Sequence, residues 1–250
     1  MRIGLHCHDC IMEGLADNEP DQFSPFSDSG LYEFDCKNGH HVVAVVQQTR
    51  FEVLAEVGVQ AIVDGYYREA ITSFNASFER FMQFYVEAVF VERQERGDLI
   101  ANTWKLADKQ SERQLGMFLA TYLFEMGEIP PTLPQQSRHD AGSVEFRNSV
   151  VHRGQIPTEN EAIEFAQKII NLVQPVLNIM ASRYSEAISA IVNIHQAQAR
   201  AKVGNRQKVS FIYYPMVYRV IGDAPPGGLL DQEPMNVKAE VSRRKERRLG

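Results

Sequence analysis

All three cysteines of the chain lie within its first 36 residues, at a spacing that is typical of metal ligands. Cys7 and Cys10 are separated by two residues, and Cys36 and His40 form a second close pair 25 residues further on. Thiolate and imidazole are donors that Zn²⁺ prefers, and two ligands from each of two short turns complete a tetrahedral shell. Cys7, Cys10, Cys36 and His40 are therefore the predicted ligands of a structural zinc ion.

The identity of the fourth ligand stays open at this level, because His6, His8 and His41 lie close enough in sequence to replace His40. The C-x-x-C and C-x-x-G-H pairs resemble the knuckles of treble-clef or zinc-ribbon sites. A catalytic zinc keeps an open position and has three protein ligands, whereas four candidates fill the shell here. The metal would supply about 10–16 kcal/mol of apparent binding free energy to a segment with little core of its own. The alternative is three unconnected buried cysteines.

A second group of reactive side chains comprises Arg147, Asn148 and His152. Histidine exchanges a proton near neutral pH, whereas arginine stays cationic and stabilises anionic oxygens. On a helix Asn148 and His152 lie about 40° apart on one face, and Arg147 lies about 140° from His152. The spacing alone carries little weight, since Arg2 and His8 also match it. The alternative is a histidine favoured by the dipole of a helix C-terminus and an arginine in a surface ion pair.

In its context this segment resembles the HEPN superfamily, whose endoribonuclease members are all-helical and carry an Arg-x4-6-His motif, often with Asn after the Arg. The Asn at the expected place, the apolar Val150-Val151 and the Arg153-Gly154 end contribute to the resemblance. A helix with a capping-box start at Thr158 follows. The resemblance covers about residues 50–200 and implies a HEPN-like helical bundle.

The resemblance implies a metal-independent endoribonuclease that cleaves single-stranded RNA through attack of the 2′-hydroxyl. His152 would move a proton to or from the 2′-hydroxyl or the 5′-leaving oxygen, Arg147 would neutralise the phosphorane, and Asn148 would orient phosphate or ribose. It also implies a homodimer with a composite cleft, a regulatory protein or antitoxin as partner, and a role in microbial defence, toxin action or stress response. The alternative is a non-catalytic HEPN-zinc adaptor that binds RNA or a protein.

Composition and charge restrict the protein class further. The 250 residues are 44% hydrophobic and 23% charged, which is typical of a globular chain. The longest aliphatic run, Val42–Val46, is far shorter than the roughly 20 residues of a membrane span, and no secretion-signal pattern is present. We therefore expect a cytoplasmic protein without membrane contact. Residues 199–250 carry 11 Lys/Arg against 5 Asp/Glu, whereas residues 1–198 carry 15 against 27.

The elements that must position these groups are mainly helical. Residues 1–48 are rich in turn formers and predict a zinc-knuckle module with short strands around Phe34 and Val42–Val46. Residues 49–203 predict the HEPN-like helical domain, with helices at about 50–65, 67–96, 98–127 (broken near 109–111), 137–153 and 158–201 (kinked at Pro175). A stripe of phenylalanines from Phe74 to Phe84 is predicted core.

The C-terminal residues 204–250 predict a short β and basic extension. Residues 209–214 and 217–221 have the β-branched and aromatic pattern of strands that pair with the N-terminal ones. The remaining residues are rich in Pro and Gly and then in Arg and Lys, which predicts a mobile tail.

Overall fold

The computed structural model describes residues 2–16, 19–93, 96–135, 140–203, 209–212, 216–218 and 233–249. The chain forms two compact units. The N-terminal unit comprises residues 1–48 and 191–214, and the helical unit comprises residues 49–190 and 215–250. The described residues are mainly helical, as the sequence predicts, with a small strand module at the N-terminus. Among them, no helix combines the length and the apolar composition that crossing a membrane requires.

The N-terminal unit contains two small sheets. Its elements are β1 (Arg2–Leu5), α1 (His8–Met12), β2 (Gln22–Pro25), β3 (Leu31–Asp35), β4 (His41–Val46) and β5 (Val209–Ile212). β1 and β2 pair antiparallel, and β3 pairs antiparallel with β4. β5 adds to β4 in parallel, which confirms that a C-terminal strand pairs with the N-terminal ones.

The core of the N-terminal unit brings both sheets to the cysteines. Leu5 of β1, Phe34 of β3, and Val42 and Ala44 of β4 belong to one buried cluster that also contains Cys7, Cys10 and Cys36. Alternate residues of a strand point to one face, so each strand contributes every second side chain to this cluster. The metal-ligand candidates are thus part of the hydrophobic core.

The helical unit is built around one long central helix. Its elements are α2 (Arg50–Val63), α3 (Tyr67–Glu92), α4 (Gly97–Trp104), α5 (Ser111–Met126), α6 (Val144–Arg153), α7 (Glu159–Arg183), the start of α8 (Ser185–Ala201) and α9 (Val237–Leu249). α3 contacts α2, α4, α5, α6 and α7. The predicted phenylalanine stripe is buried on α3. The ring of Phe74 packs against Gly58 of α2, where a Cβ atom would lie only 2.6 Å from that ring.

Two helix predictions need correction. The helix predicted from residue 137 begins at Val144, because the hydroxyl of Ser143 accepts a hydrogen bond from the N–H of Phe146 and caps the first turn; residues 137–139 lie outside the described residues. The helix predicted over about residues 158–201 is divided in two at Tyr184, which has non-helical backbone angles, and α8 begins at Ser185. Pro175 lies inside the first of the two, α7, which runs from Glu159 to Arg183. Thr158 and Glu161 form the predicted capping box at its start.

The C-terminal prediction was wrong in part. Val217 and Tyr218 are not in a strand, and residues 213–215 and 219–232 lie outside the described residues. The basic segment expected to be a mobile tail forms α9, which packs on α2 and α7. Ion pairs with these helices and the burial of Val237 and Val241 hold it there.

Candidate functional site

The predicted metal ligands come from two short turns. Cys7 directly precedes α1 and Cys10 lies within it, where both are buried. Cys36 follows β3 and His40 precedes β4, so the second pair lies in the turn of the β3–β4 hairpin. Gly39 in this turn has φ +86, a conformation that favours glycine.

The four donor atoms lie within 4.8 Å of one another and form a buried cluster that could bind a metal ion. The Nδ1 atom of His40 is 3.6 Å from Sγ of Cys7 and 3.4 Å from Sγ of Cys10, and Sγ of Cys10 is 3.6 Å from Sγ of Cys36. A tetrahedral ion with Zn–S of about 2.3 Å and Zn–N of about 2.05 Å separates two sulfurs by about 3.8 Å and sulfur from nitrogen by about 3.6 Å. The observed spacings fit that geometry, and they exclude a Cys10–Cys36 disulfide, whose sulfurs would be about 2.05 Å apart.

Outer-sphere groups orient the ligands. Nδ2 of Asn38 donates to Sγ of Cys10 at 3.2 Å, and the backbone N–H of His40 donates to Sγ of Cys36 at 3.3 Å. Oε2 of Glu13 is 3.4 Å from Nε2 of His40, the nitrogen that faces away from the sulfurs. A carboxylate on the second nitrogen of a metal-binding histidine fixes its tautomer and raises its basicity.

The thiols differ in acidity because their surroundings differ. Burial raises the pKa of the Cys7 thiol to about 11. Burial also raises the pKa of the Cys36 thiol, but the backbone N–H groups of His40 and Asn38 outweigh it and lower that pKa to about 7. A bound dication would favour the thiolate form of every sulfur in the cluster.

Within the described residues, His40 is the histidine of the cluster, which is the residue that the spacing favours. The competing His41 points elsewhere: its Nδ1 is 2.8 Å from Asp35 and its Nε2 is 3.0 Å from Glu33. Its two carboxylate partners raise the pKa of His41 and occupy both ring nitrogens.

The second predicted group, Arg147, Asn148 and His152, lies on α6. Phe146 and Val150 are buried on one face of this helix. The helical repeat places Asn148 and His152 on the opposite face and Arg147 between the two faces. His152 is exposed, and Arg147 and Asn148 are half-buried.

Arg147 is held by its neighbour on the chain. Its Nη1 donates to Oδ1 of Asn148 at 2.9 Å. Its Nε is buried and has no hydrogen-bond partner in the part of the chain that the structure describes. A buried donor without an acceptor is energetically costly.

Two contacts around these groups were missed by sequence reasoning. Glu13 lies three residues after Cys10, one helical turn on, but acidic residues are too common for that spacing to stand out. Arg68, at the start of α3, has its Nη2 3.5 Å from the carbonyl oxygen of Val151 in the last turn of α6. That contact joins residues 83 positions apart, and no local pattern reveals it.

Comparison of the chain with protein-family models, with curated proteins and with solved structures finds no match.

Proposed function

We propose that the protein is a cytoplasmic, metal-independent endoribonuclease of HEPN type, with its active site on α6 and a structural zinc in the N-terminal unit. The observation that carries the proposal is the arrangement of Arg147: Asn148 accepts from its Nη1, and its buried Nε has no acceptor among the described residues. A phosphate oxygen is an acceptor that such a guanidinium binds well. His152, exposed one turn beyond Asn148, supplies an imidazole that can transfer a proton.

The chemistry is a transesterification within the RNA. The ribose 2′-oxygen bonds to phosphorus as its proton passes to an imidazole, and the bond from phosphorus to the 5′-oxygen breaks as that oxygen takes up a proton. The products are a 2′,3′-cyclic phosphate and a 5′-hydroxyl. Arg147 stabilises the extra negative charge of the phosphorane, and His152 transfers the protons.

One chain presents these groups poorly. On α6 the Cα atoms of Arg147 and His152 are about 9 Å apart and their side chains diverge by about 140°. Two α6 helices related by a two-fold axis would place the arginine of one chain near the histidine of the other. Two histidines in one cleft could also divide the base and acid roles. The proposed active form is therefore a homodimer.

The mutants of the two residues should differ in a defined way. His152→Ala removes proton transfer and should lower the cleavage rate of labelled single-stranded RNA by about 10²–10⁴. Arg147→Lys keeps the charge but loses the bidentate fork, and should retain part of the activity. His41→Ala, which removes another exposed histidine, is the matched control and should cleave at the wild-type rate.

Product analysis separates this mechanism from metal-dependent hydrolysis. Cleavage started in EDTA should proceed and leave a 2′,3′-cyclic phosphate on the 5′ fragment. Fragments that end in a plain 3′-hydroxyl would refute 2′-hydroxyl attack, and equal activity of the wild type and His152→Ala would remove this site from the reaction.

A non-catalytic adaptor is the second candidate, and the N-terminal unit carries the observation that favours it. Ile11, Met12 and Leu15 around α1, and Phe23 on β2, are exposed apolar side chains next to the metal centre. Such side chains are common in protein-binding surfaces. Under this alternative, His152→Ala would change no activity, whereas Met12→Asp would abolish partner capture.

A further inference from the structure

Helix α9 brings most of its positive charge to one end of the helical unit. Three of its cations pair with carboxylates of α2, of α7 and of the residue that follows α2: Arg244 with Glu56, Lys245 with Glu159, and Arg248 with Asp64. Among the residues of this helix whose burial the structure describes, only Val237 and Val241 are buried apolar side chains. Its docking is therefore largely electrostatic.

The docked helix changes the sign of the local charge. α9 contains six Lys/Arg and two Glu, a net charge of +4. The three carboxylates that it meets contribute −3, so the combined charge is +1 where the helical body alone would be acidic. An acidic surface repels nucleic-acid phosphates and a basic one attracts them. α9 thus offsets the negative charge of the carboxylates that it meets.

Contacts link α9 to the α6 site. Glu159 binds Nζ of Lys245 through Oε1 at 2.8 Å and accepts from the hydroxyl of Tyr67 through Oε2 at 3.1 Å. The next residue, Arg68, contacts the carbonyl oxygen of Val151. Val151 directly precedes His152. The basic helix therefore lies at the same end of the helical unit as the proposed catalytic histidine.

Cations and an aromatic ring are available for binding at this end. Tyr66, at the turn into α3, is 63% exposed. Arg247 is exposed, and within the described part of the chain it has no carboxylate partner. Arg68 is exposed as well and contacts a carbonyl group rather than a carboxylate.

We propose that Tyr66, Arg68 and α9 form a surface that binds single-stranded RNA beside α6. This inference rests on the proposed function, because it assigns the substrate-binding surface of the same site. Proteins that hold single strands combine cations for the backbone with aromatic rings on which unpaired bases stack. Bases paired inside a duplex have no free face for Tyr66, so the surface selects single strands.

Binding is measured by fluorescence anisotropy of a labelled 20-nucleotide single-stranded RNA with 2′-O-methyl riboses, which has no free 2′-hydroxyl and so stays intact. Tyr66→Ala should weaken binding about five-fold or more through loss of a stacked base. Arg68→Ala and Arg247→Ala should weaken it and each lower the slope of log affinity against log salt by about 0.7. The same three substitutions should raise KM more than they lower kcat.

Matched controls lie at the other end of the helical unit. Phe124 is 86% exposed and is followed by Glu125, which pairs with Arg93. Arg93 lies just after the end of α3, about 39 Å from the start of that helix. Arg183 is exposed at the end of α7, about 36 Å from Glu159. Phe124→Ala and Arg183→Ala should bind RNA as the parent does.

The outcomes separate this inference from the proposed function. If Tyr66→Ala, Arg68→Ala and Arg247→Ala bind RNA as tightly as the two controls, the surface is wrong, even where His152→Ala abolishes cleavage. If they weaken binding while His152→Ala cleaves normally, the surface stands and the catalytic assignment fails. Equal affinity for a 20-base-pair RNA duplex would also contradict the surface, because it would leave no role for stacking on Tyr66.

Discussion

Removal of the metal should unfold the segment around α1 while the helical unit stays folded. α1 has five residues, far fewer than an isolated helix needs in water, and Cys10 is its only buried side chain. Ile11 and Met12 are 52% and 72% exposed, so apolar burial does not hold this helix. We therefore expect the order of the segment to depend on a metal ion bound by Cys7 and Cys10.

The size of the effect follows from binding linkage. With free zinc at about 1,000 times the dissociation constant, a folded-state-specific site is stabilised by about 4.1 kcal/mol. That free energy corresponds to a factor of about 1,000 in the opening equilibrium. The amides of Ile11 and Leu15, which donate to the carbonyl oxygens of Cys7 and Cys10, should therefore exchange about a thousandfold faster after chelation.

Hydrogen exchange read by mass spectrometry measures this opening peptide by peptide in the full chain. The adjacent histidines provide a matched pair: His40→Ala removes a proposed ligand, and His41→Ala removes a side chain whose ring nitrogens pair with Glu33 and Asp35. Elemental analysis should find about one zinc per chain in the wild type and in His41→Ala, and far less in His40→Ala. Peptides from α3 and α7 should exchange equally in all three proteins.

Three results would refute this reasoning. The wild type purified without chelator could contain no metal, the two histidine variants could contain equal zinc, or the peptide spanning residues 7–16 could keep its protection after chelation. The first two would remove the metal site. The third would show that protein packing alone orders α1.

Two further predictions concern assembly and pH. Sedimentation of the purified chain should give roughly twice the chain mass of 28.4 kDa, because a complete cleft needs two α6 helices; a strict monomer at micromolar concentration that cleaves RNA would contradict the dimer. Lys245 lowers the pKa of Glu159, and Arg243 and Arg244 lower that of Glu240. A lowered folded-state pKa means that this stabilisation is present above the ordinary value of 4.5 and is lost as the pH falls below it. Amides of α9 should therefore lose protection as the pH falls below 4.5, and unchanged protection at lower pH would reject the electrostatic docking.

The metal ligands could be predicted from the sequence because their chemistry is local. Cys7 and Cys10 share one turn, Cys36 and His40 share another, and few residue types bind zinc. The groups that orient them could not be predicted in this way. Glu13 and Asn38 are ordinary polar residues whose role depends on where the chain folds, and spacing does not distinguish them from other surface side chains.

Helix boundaries were less accessible than helix interiors for a related reason. The stripe on α3 repeats over many turns, so its pattern is strong. The start of α6 depends on one hydroxyl, that of Ser143, and on a turn in which Oδ1 of Asp140 accepts from the N–H of Gly142. Polar residues before a helix resemble polar residues inside its exposed face, so the predicted helix extended too far towards the N-terminus.

The basic C-terminal segment shows where a composition-based prediction fails. Val237 and Val241 are the only buried apolar side chains among the described ones of α9, and a charged segment with so few apolar residues predicts a mobile tail. Its partners Glu56 and Asp64 lie more than 180 residues away in the sequence, where no local pattern connects them to it. The charge asymmetry of the chain is therefore partly internal: three cations of α9 neutralise the acidic helical body. Arg247 and Arg68 are left to bind an external anion, which is why the proposed RNA surface should lose a measurable part of its salt dependence when Arg247 alone is replaced.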